Sequence, residues 1–151
     1  MKTENYGRLA HILLVDDNPH DAHLIEMALA RASTAHTLTV ATAHEEALRI
    51  LRDLSPSPDT RPDIILLGLN SPQVMGLEIL AQIKRIEHLE CVPVVALTSS
   101  LAGSLLEKAY ALHANCCVHK RHTSEELFAT IDSVCRFWLQ TVSLPRTLWW
   151  S

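Results

Sequence analysis

The feature that most constrains this chain is an alternation. Five apolar runs recur, each too short for a helix: HILLV (11–15), HTLTVAT (36–42), DIILL (63–67), PVVAL (93–97) and CCVH (116–119). Runs of this length, apolar throughout or rich in β-branched residues, read as strands. Between them lie stretches with apolar residues at helical spacing. Asn18-Pro19 opens the first, with asparagine as the cap and proline at the first helical position. Asp21 falls in its first turn, where the helix dipole favours negative charge, and Leu24, Ile25, Ala28 and Leu29 form its apolar face. HEEALRILRDL (44–54), GLEILAQIKRIEHL (76–89) and LAGSLLEKAYALH (101–113) supply the next three helices. Thr123-Ser-Glu-Glu126 matches a capping box and opens a long last helix. Five strands alternating with five helices place the chain in the α/β class, as a doubly wound parallel sheet covered on both faces.

Composition excludes several functions. The 151 residues suit one domain, and a net charge of −4 without a basic run argues against a nucleic-acid surface. No apolar stretch approaches the ~18 residues of a membrane span, and the N-terminus lacks the apolar segment of a signal peptide, so a cytoplasmic protein is expected. Cys91, Cys116, Cys117 and Cys135 form no C-x-x-C pair and read as reduced, mostly buried thiols. The nine histidines include no paired ligand motif. SPSPDTRPD (55–63) reads as a loop within the domain.

In a doubly wound sheet, ligands sit beyond the carboxyl ends of the strands. Those ends carry Asp16-Asp17, then Gly68-Leu69-Asn70, then Thr98, then Lys120. Adjacent carboxylates repel unless a cation lies between them, and a hard divalent ion such as Mg²⁺ suits the pair. Lys120 can neutralise part of the same charge by pairing with Asp16 or Asp17, and Thr98 can donate to an anion nearby. No glycine-rich nucleotide loop of either common pattern is present.

At these residues the sequence resembles a response-regulator receiver domain, the CheY-like fold. The resemblance rests on LLVDDN (13–18), DIILLGLNSP (63–72), Gly76, PVVALTSS (93–100) and Lys120. ANCCVHK (114–120) and ELFATIDSVCRFWLQTVSLP (126–145) resemble the single-domain regulators that partner bacterial phytochrome histidine kinases. The resemblance implies a flavodoxin-like strand order 2-1-3-4-5, a receiver over residues 11–142, an extension at 1–10 and a tail at 143–151. It implies that Asp16, Asp17 and the backbone carbonyl of Asn70 hold Mg²⁺, that Thr98 and Lys120 line a phosphate pocket, and that position 117 is a switch. An aspartate at the tip of the third strand should accept the phosphoryl group. Gly68 stands there instead. Cys117 replaces the usual aromatic, and Arg121 the usual proline.

The expected function is therefore a two-component response regulator, not an enzyme, degenerate at its usual phosphorylation site and acting by protein–protein contact. Its expected partner is a sensor histidine kinase, of the bacteriophytochrome kind, and any Mg²⁺ site should be weakened. Two alternatives stay open: a phosphoacceptor by another route, through Ser71 or in a parent with aspartate at position 68, and a Mg²⁺-dependent phosphatase-like enzyme. Two apolar stripes on the last helix suggest a homodimer through helix four, strand five and helix five. Phe128, Cys135, Phe137, Trp138, Leu139 and Val142 are its candidate interface residues. Leu148-Trp149-Trp150 either folds over that dimer or remains a free end.

Overall fold

The computed structural model describes residues 9–54, 61–70, 74–100 and 102–145. Five parallel strands form one sheet: β1 (Ala10–Val15), β2 (His36–Ala41), β3 (Ile64–Leu69), β4 (Val94–Thr98) and β5 (Cys116–His119), in the order β2-β1-β3-β4-β5. The helices are α1 (Pro19–Ala30), α2 (His44–Asp53), α3 (Val74–Arg85), α4 (Gly103–Ala111) and α5 (Ser124–Arg136). The expected class, element order and strand order are those observed.

The pleat divides the central strands between two cores. Leu13, Val15, Ile65, Leu67, Val94 and Ala96 pack with α2, α3 and α4 on one face, through residues such as Leu51, Ile79, Leu80, Ile83 and Leu105. Ile12, Leu14, Ile64, Leu66, Val95 and Leu97 pack with α1 and α5 on the other, through Ile25, Leu29, Leu127 and Ile131. Successive side chains of a strand point to opposite faces, so an unbroken apolar run is what a strand covered on both sides requires.

Side-chain caps set the helix starts. Asn18 Oδ1 accepts from the backbone N–H of His20 at 3.0 Å and of Asp21 at 3.1 Å, and Thr123 Oγ1 accepts from Glu126 N–H at 3.1 Å. α4 ends in a Schellman motif: Ala114 N–H donates to Ala109 O, and His113 N–H to Tyr110 O. That motif puts His113 at φ 73°, in the left-handed region.

Several boundaries depart from expectation, three of them by packing or pairing near the site and the last helix. β3 runs to Leu69 rather than Leu67, because Gly68 and Leu69 pair with Leu97 and Thr98, so Gly68 lies inside the strand. α3 starts at Val74 and stops at Arg85, and residues Glu87–Leu89 form a separate 3₁₀ turn. α5 ends at Arg136 and passes into a π-helical turn, Phe137–Thr141, after which Arg61 reaches back to the Pro145 carbonyl. Ser71, residues 55–60 and the residues from 146 on, which include Trp149 and Trp150, lie outside the described residues.

The two stripes expected on α5 merge into one broad face. Leu127, Ile131, Val134 and Cys135 are all buried, with Phe128, Trp138 and Leu139 packed against the same core. Cys135 is 2% exposed, which removes it from any surface interface: adjacent to Val134, it shares the sheet-facing side of the helix. Phe137 alone among these points outward, 49% exposed.

Two measurements test this packing. His113→Gly, at an exposed position with the left-handed backbone, should raise stability in urea by about 1 kcal/mol. Burial pushes the Cys135 thiol up to about 12 from an ordinary 9.0. The folded state holds that proton more tightly, so its contribution is intact below pH 9.0 and is lost as the pH climbs toward about 12. The alkaline fall in the urea midpoint should be shallower in Cys135→Ala than in the unaltered protein.

Candidate functional site

Strand register explains why the site's residues meet. Val15 pairs with Leu67, so Asp16 and Gly68 follow as neighbours one step further along adjacent parallel strands. Asp16 continues the parity of Ile12 and Leu14, and Gly68 that of Ile64 and Leu66, so both face the α1/α5 side. Lys120, one residue beyond β5, continues the parity of Cys116 and Val118 toward that side. Its backbone N–H donates to Thr98 O at 2.7 Å, which fixes its root beside the end of β4.

Lys120 then reaches over the ends of β4 and β3. Its Nζ donates to Asp16 Oδ2 at 2.8 Å, to Asp21 Oδ2 at 2.9 Å and to Asn70 Oδ1 at 2.8 Å. All three ammonium donors are thus used. Asp16 is fully buried, Lys120 is 7% exposed, and Asp21 keeps part of its surface in water. Asp16 Oδ1 accepts from Asn18 N–H at 3.0 Å and from Asn70 Nδ2 at 2.6 Å. The same amide nitrogen donates to Asp17 Oδ1 at 2.5 Å. Asn70 therefore bridges the acidic pair with its two N–H groups and holds Lys120 with its oxygen.

Gly68 is what makes room. A Cβ built there would stand 2.2 Å from Asp16 Oδ2 and 2.4 Å from its Cγ. The Asp16 carboxylate lies against β3 at Gly68, in the space that any side chain at position 68 would enter. Gly76 is a second close approach: a Cβ there would come within 2.9 Å of Gly68 O, so its absence lets α3 pack against the tip of β3.

The expected residues do not all converge. Asp16, Asn70 and Lys120 do, and Lys120 pairs with Asp16 as anticipated. It does not pair with Asp17, whose exposed carboxylate takes the Asn70 amide instead. Asn70 enters through its side chain, where the expectation was its backbone carbonyl. Thr98 is buried at the end of β4 but continues the parity of Val94 and Ala96, on the opposite face. Its hydroxyl donates to Ser100 O at 3.1 Å and accepts from Ser100 N–H at 3.0 Å, and so does not join the cluster. Cys117 is half-buried against the α4 side, its N–H donating to the Tyr110 hydroxyl at 3.0 Å. Burial pushes its thiol above the ordinary range. Asp21 is a first-turn residue of α1, as expected, and it also turns to Lys120. Its place three residues after the Asn18 cap, at the N-terminus of the helix that follows β1, was the available signal that it faces the strand ends.

The donor set, as arranged, does not fit a divalent cation. Such an ion needs carboxylate oxygens of Asp16 and Asp17 aimed at a shared point, and the Asn70 amide nitrogen occupies that point. The third carboxylate of the cluster, Asp21, is turned to Lys120. Among the described residues, no group of three or more His, Cys, Asp or Glu is placed to hold a metal ion.

Comparison with known proteins agrees with this architecture. The chain is 36% identical to the response regulator Rcp1 of Synechocystis over 135 residues, covering 89% of this chain and 92% of that one. It is 37% identical to the probable methanogenesis regulatory protein FilR2 of Methanothrix harundinacea, covering 85% of this chain and 83% of that one. Among solved structures, the phosphorylated cyanobacterial phytochrome response regulator RcpA superposes with a TM-score of 0.80 at 36% identity, over 91% of this chain and 99% of that one. The Mn²⁺-bound form of Rcp1 gives 0.77 at 35% identity, over 90% and 99%. The family model of the response regulator receiver domain matches residues 12–132, and the chain belongs to that family.

Proposed function

We propose that this receiver acts in two-component signalling through protein–protein contact, without forming an aspartyl phosphate at the tip of β3. The observation that carries the reading is Gly68 with the Asp16 carboxylate laid across it. Glycine has no nucleophilic atom, and the space a reacting group would need is filled by a buried, paired carboxylate. Lys120, free in principle to neutralise an acyl phosphate, has its donors spent on Asp16, Asp21 and Asn70. The proposed partner is a phytochrome-type sensor histidine kinase in the cytoplasm. The similarity to Rcp1 and RcpA over nearly their whole lengths supports it. In this reading the chain is a binding module rather than an enzyme, and its charged pocket is a fixed structural element.

The contact surface we propose is the edge of the sheet at β5, and its occupant a second copy of the chain. β5 is a short edge strand of four residues, all half-buried. An uncovered strand edge is a template for association. Tyr110 of α4 and Phe137 after α5 are each 49% exposed, and Phe137 stands edge-on to the half-buried Trp138 at 5.2 Å. Phe128, Leu139 and Val142 are half-buried and belong to the periphery of this surface.

Three outcomes are expected. Incubation with acetyl phosphate or beryllofluoride and Mg²⁺ should leave the intact mass unchanged; a stoichiometric adduct would overturn the reading, and peptide mapping would then separate Ser71 from other acceptors. Gly68→Asp has to expel the Asp16 carboxylate, which should cost about 1–3 kcal/mol in urea without Mg²⁺. The variant should nevertheless take up a hydroxylamine-sensitive phosphoryl label from acetyl phosphate; a folded variant that stays unlabelled means the pocket has diverged beyond the missing acceptor. Light scattering at micromolar concentration should give the mass of a dimer that Phe137→Ala weakens by at least about tenfold, as loss of an aromatic anchor does. A monomer at that concentration removes the self-association.

A further inference from the structure

We infer that the Asn70 side chain takes the place of the divalent cation, so that this pocket is assembled without one. The inference rests on the proposed reading of the site as a fixed charge network, and it concerns what holds that network together. Two carboxylates that end one strand side by side require something positive between them. Here the amide nitrogen of Asn70 lies on both, 2.6 Å from Asp16 Oδ1 and 2.5 Å from Asp17 Oδ1. A primary amide has two N–H donors, and each carboxylate takes one. The amide oxygen is turned the other way, to Lys120 Nζ at 2.8 Å. One neutral side chain therefore binds two anions at one end and a cation at the other.

The charge balance makes this sufficient. Only Asp16 is fully buried, and its two oxygens receive the Lys120 ammonium, the Asn18 N–H and the Asn70 amide. Buried charge is tolerated when it is paired and hydrogen-bonded in this way. Asp17 is exposed and Asp21 partly so, and water carries much of their charge. A divalent ion would have to displace the Asn70 amide from both carboxylates. Gly68 is the other half of the device. Without a Cβ at position 68, Asp16 lies close enough to β3 to meet Lys120 and Asn70 together.

The test is a Mn²⁺ titration of the full chain, by calorimetry and by the room-temperature paramagnetic resonance of free Mn²⁺, against Asn70→Asp and Asn70→Ala. The unaltered protein should show no saturable binding below millimolar Mn²⁺. Asn70→Asp removes both N–H donors and adds a carboxylate, and should bind one Mn²⁺ at least about tenfold more tightly. Asn70→Ala frees the acidic pair and should also bind more tightly than the parent. In both variants, but not in the parent, Mg²⁺ should raise the thermal midpoint. Adding Asp17→Asn to Asn70→Asp should abolish the gained binding, which places it at this pocket. The inference is overturned if the unaltered protein binds one Mn²⁺ as tightly as Asn70→Asp, or if Asn70→Ala binds more weakly than the parent. Either result leaves the acceptor-free reading standing, because that reading fails only on a phosphoryl or beryllofluoride adduct.

Discussion

The buried pair of Asp16 and Lys120 ties the end of β1 to the end of β5, across the ends of the two strands between them. The two residues are 104 positions apart in the chain. Neither has another full charge partner at comparable depth, since Asp21, the second carboxylate on Lys120, is partly in water. Breaking such a pair by removing one member typically costs about 3–5 kcal/mol, because the other is left charged and dry. The positions of Asn70, Asn18 and Asp21 follow from the pair: each supplies or accepts a hydrogen bond that one of the two would otherwise lack.

The pair also explains how glycine at the tip of β3 is compatible with this architecture. Lys120 crosses to Asp16 only because nothing projects from β3 beneath it. An aspartate at the strand tip would set a third negative charge against Asp16 and would compete for the same ammonium. With glycine there, Lys120 pairs with Asp16 and Asp21, and the amide of Asn70 bridges Asp16 and Asp17. The network joins β1, the end of β3, the end of β5 and α1. Among the described residues, the large apolar side chains left exposed are Leu9, Met27, Tyr110 and Phe137.

Much of the fold was legible because buried strands and amphipathic helices write different periods into a sequence. The five apolar runs and the caps at Asn18 and Thr123 are local signals, and they mark the observed elements. The boundaries that moved did so for non-local reasons. β3 extends through Gly68 because β4 offers partners there, against glycine's weak preference for strands. α5 tightens its apolar residues into one buried face and then opens into a π-helical turn, which leaves Phe137 exposed while Cys135 is buried. Helical periodicity alone had divided these residues into two stripes, one for a partner. Packing against β1, β3 and α1 consumed most of the second.

For the site, the sequence by itself determined which residue types arrive at the strand ends: Asp16, Asp17, Gly68, Asn70, Thr98 and Lys120. It determined as well that no side chain at position 68 can accept a phosphoryl group. Only the tertiary structure decided what those residues do with one another. The pleat turned Thr98 away from the cluster and brought Asp16 and Gly68 onto one face. The α1 cap swung Asp21 toward Lys120, and the short reach across β3 let Asn70 act through its side chain. These are contacts between residues up to 104 positions apart, set by strand register and by the space a missing Cβ leaves, and neither quantity exists until the sheet is assembled.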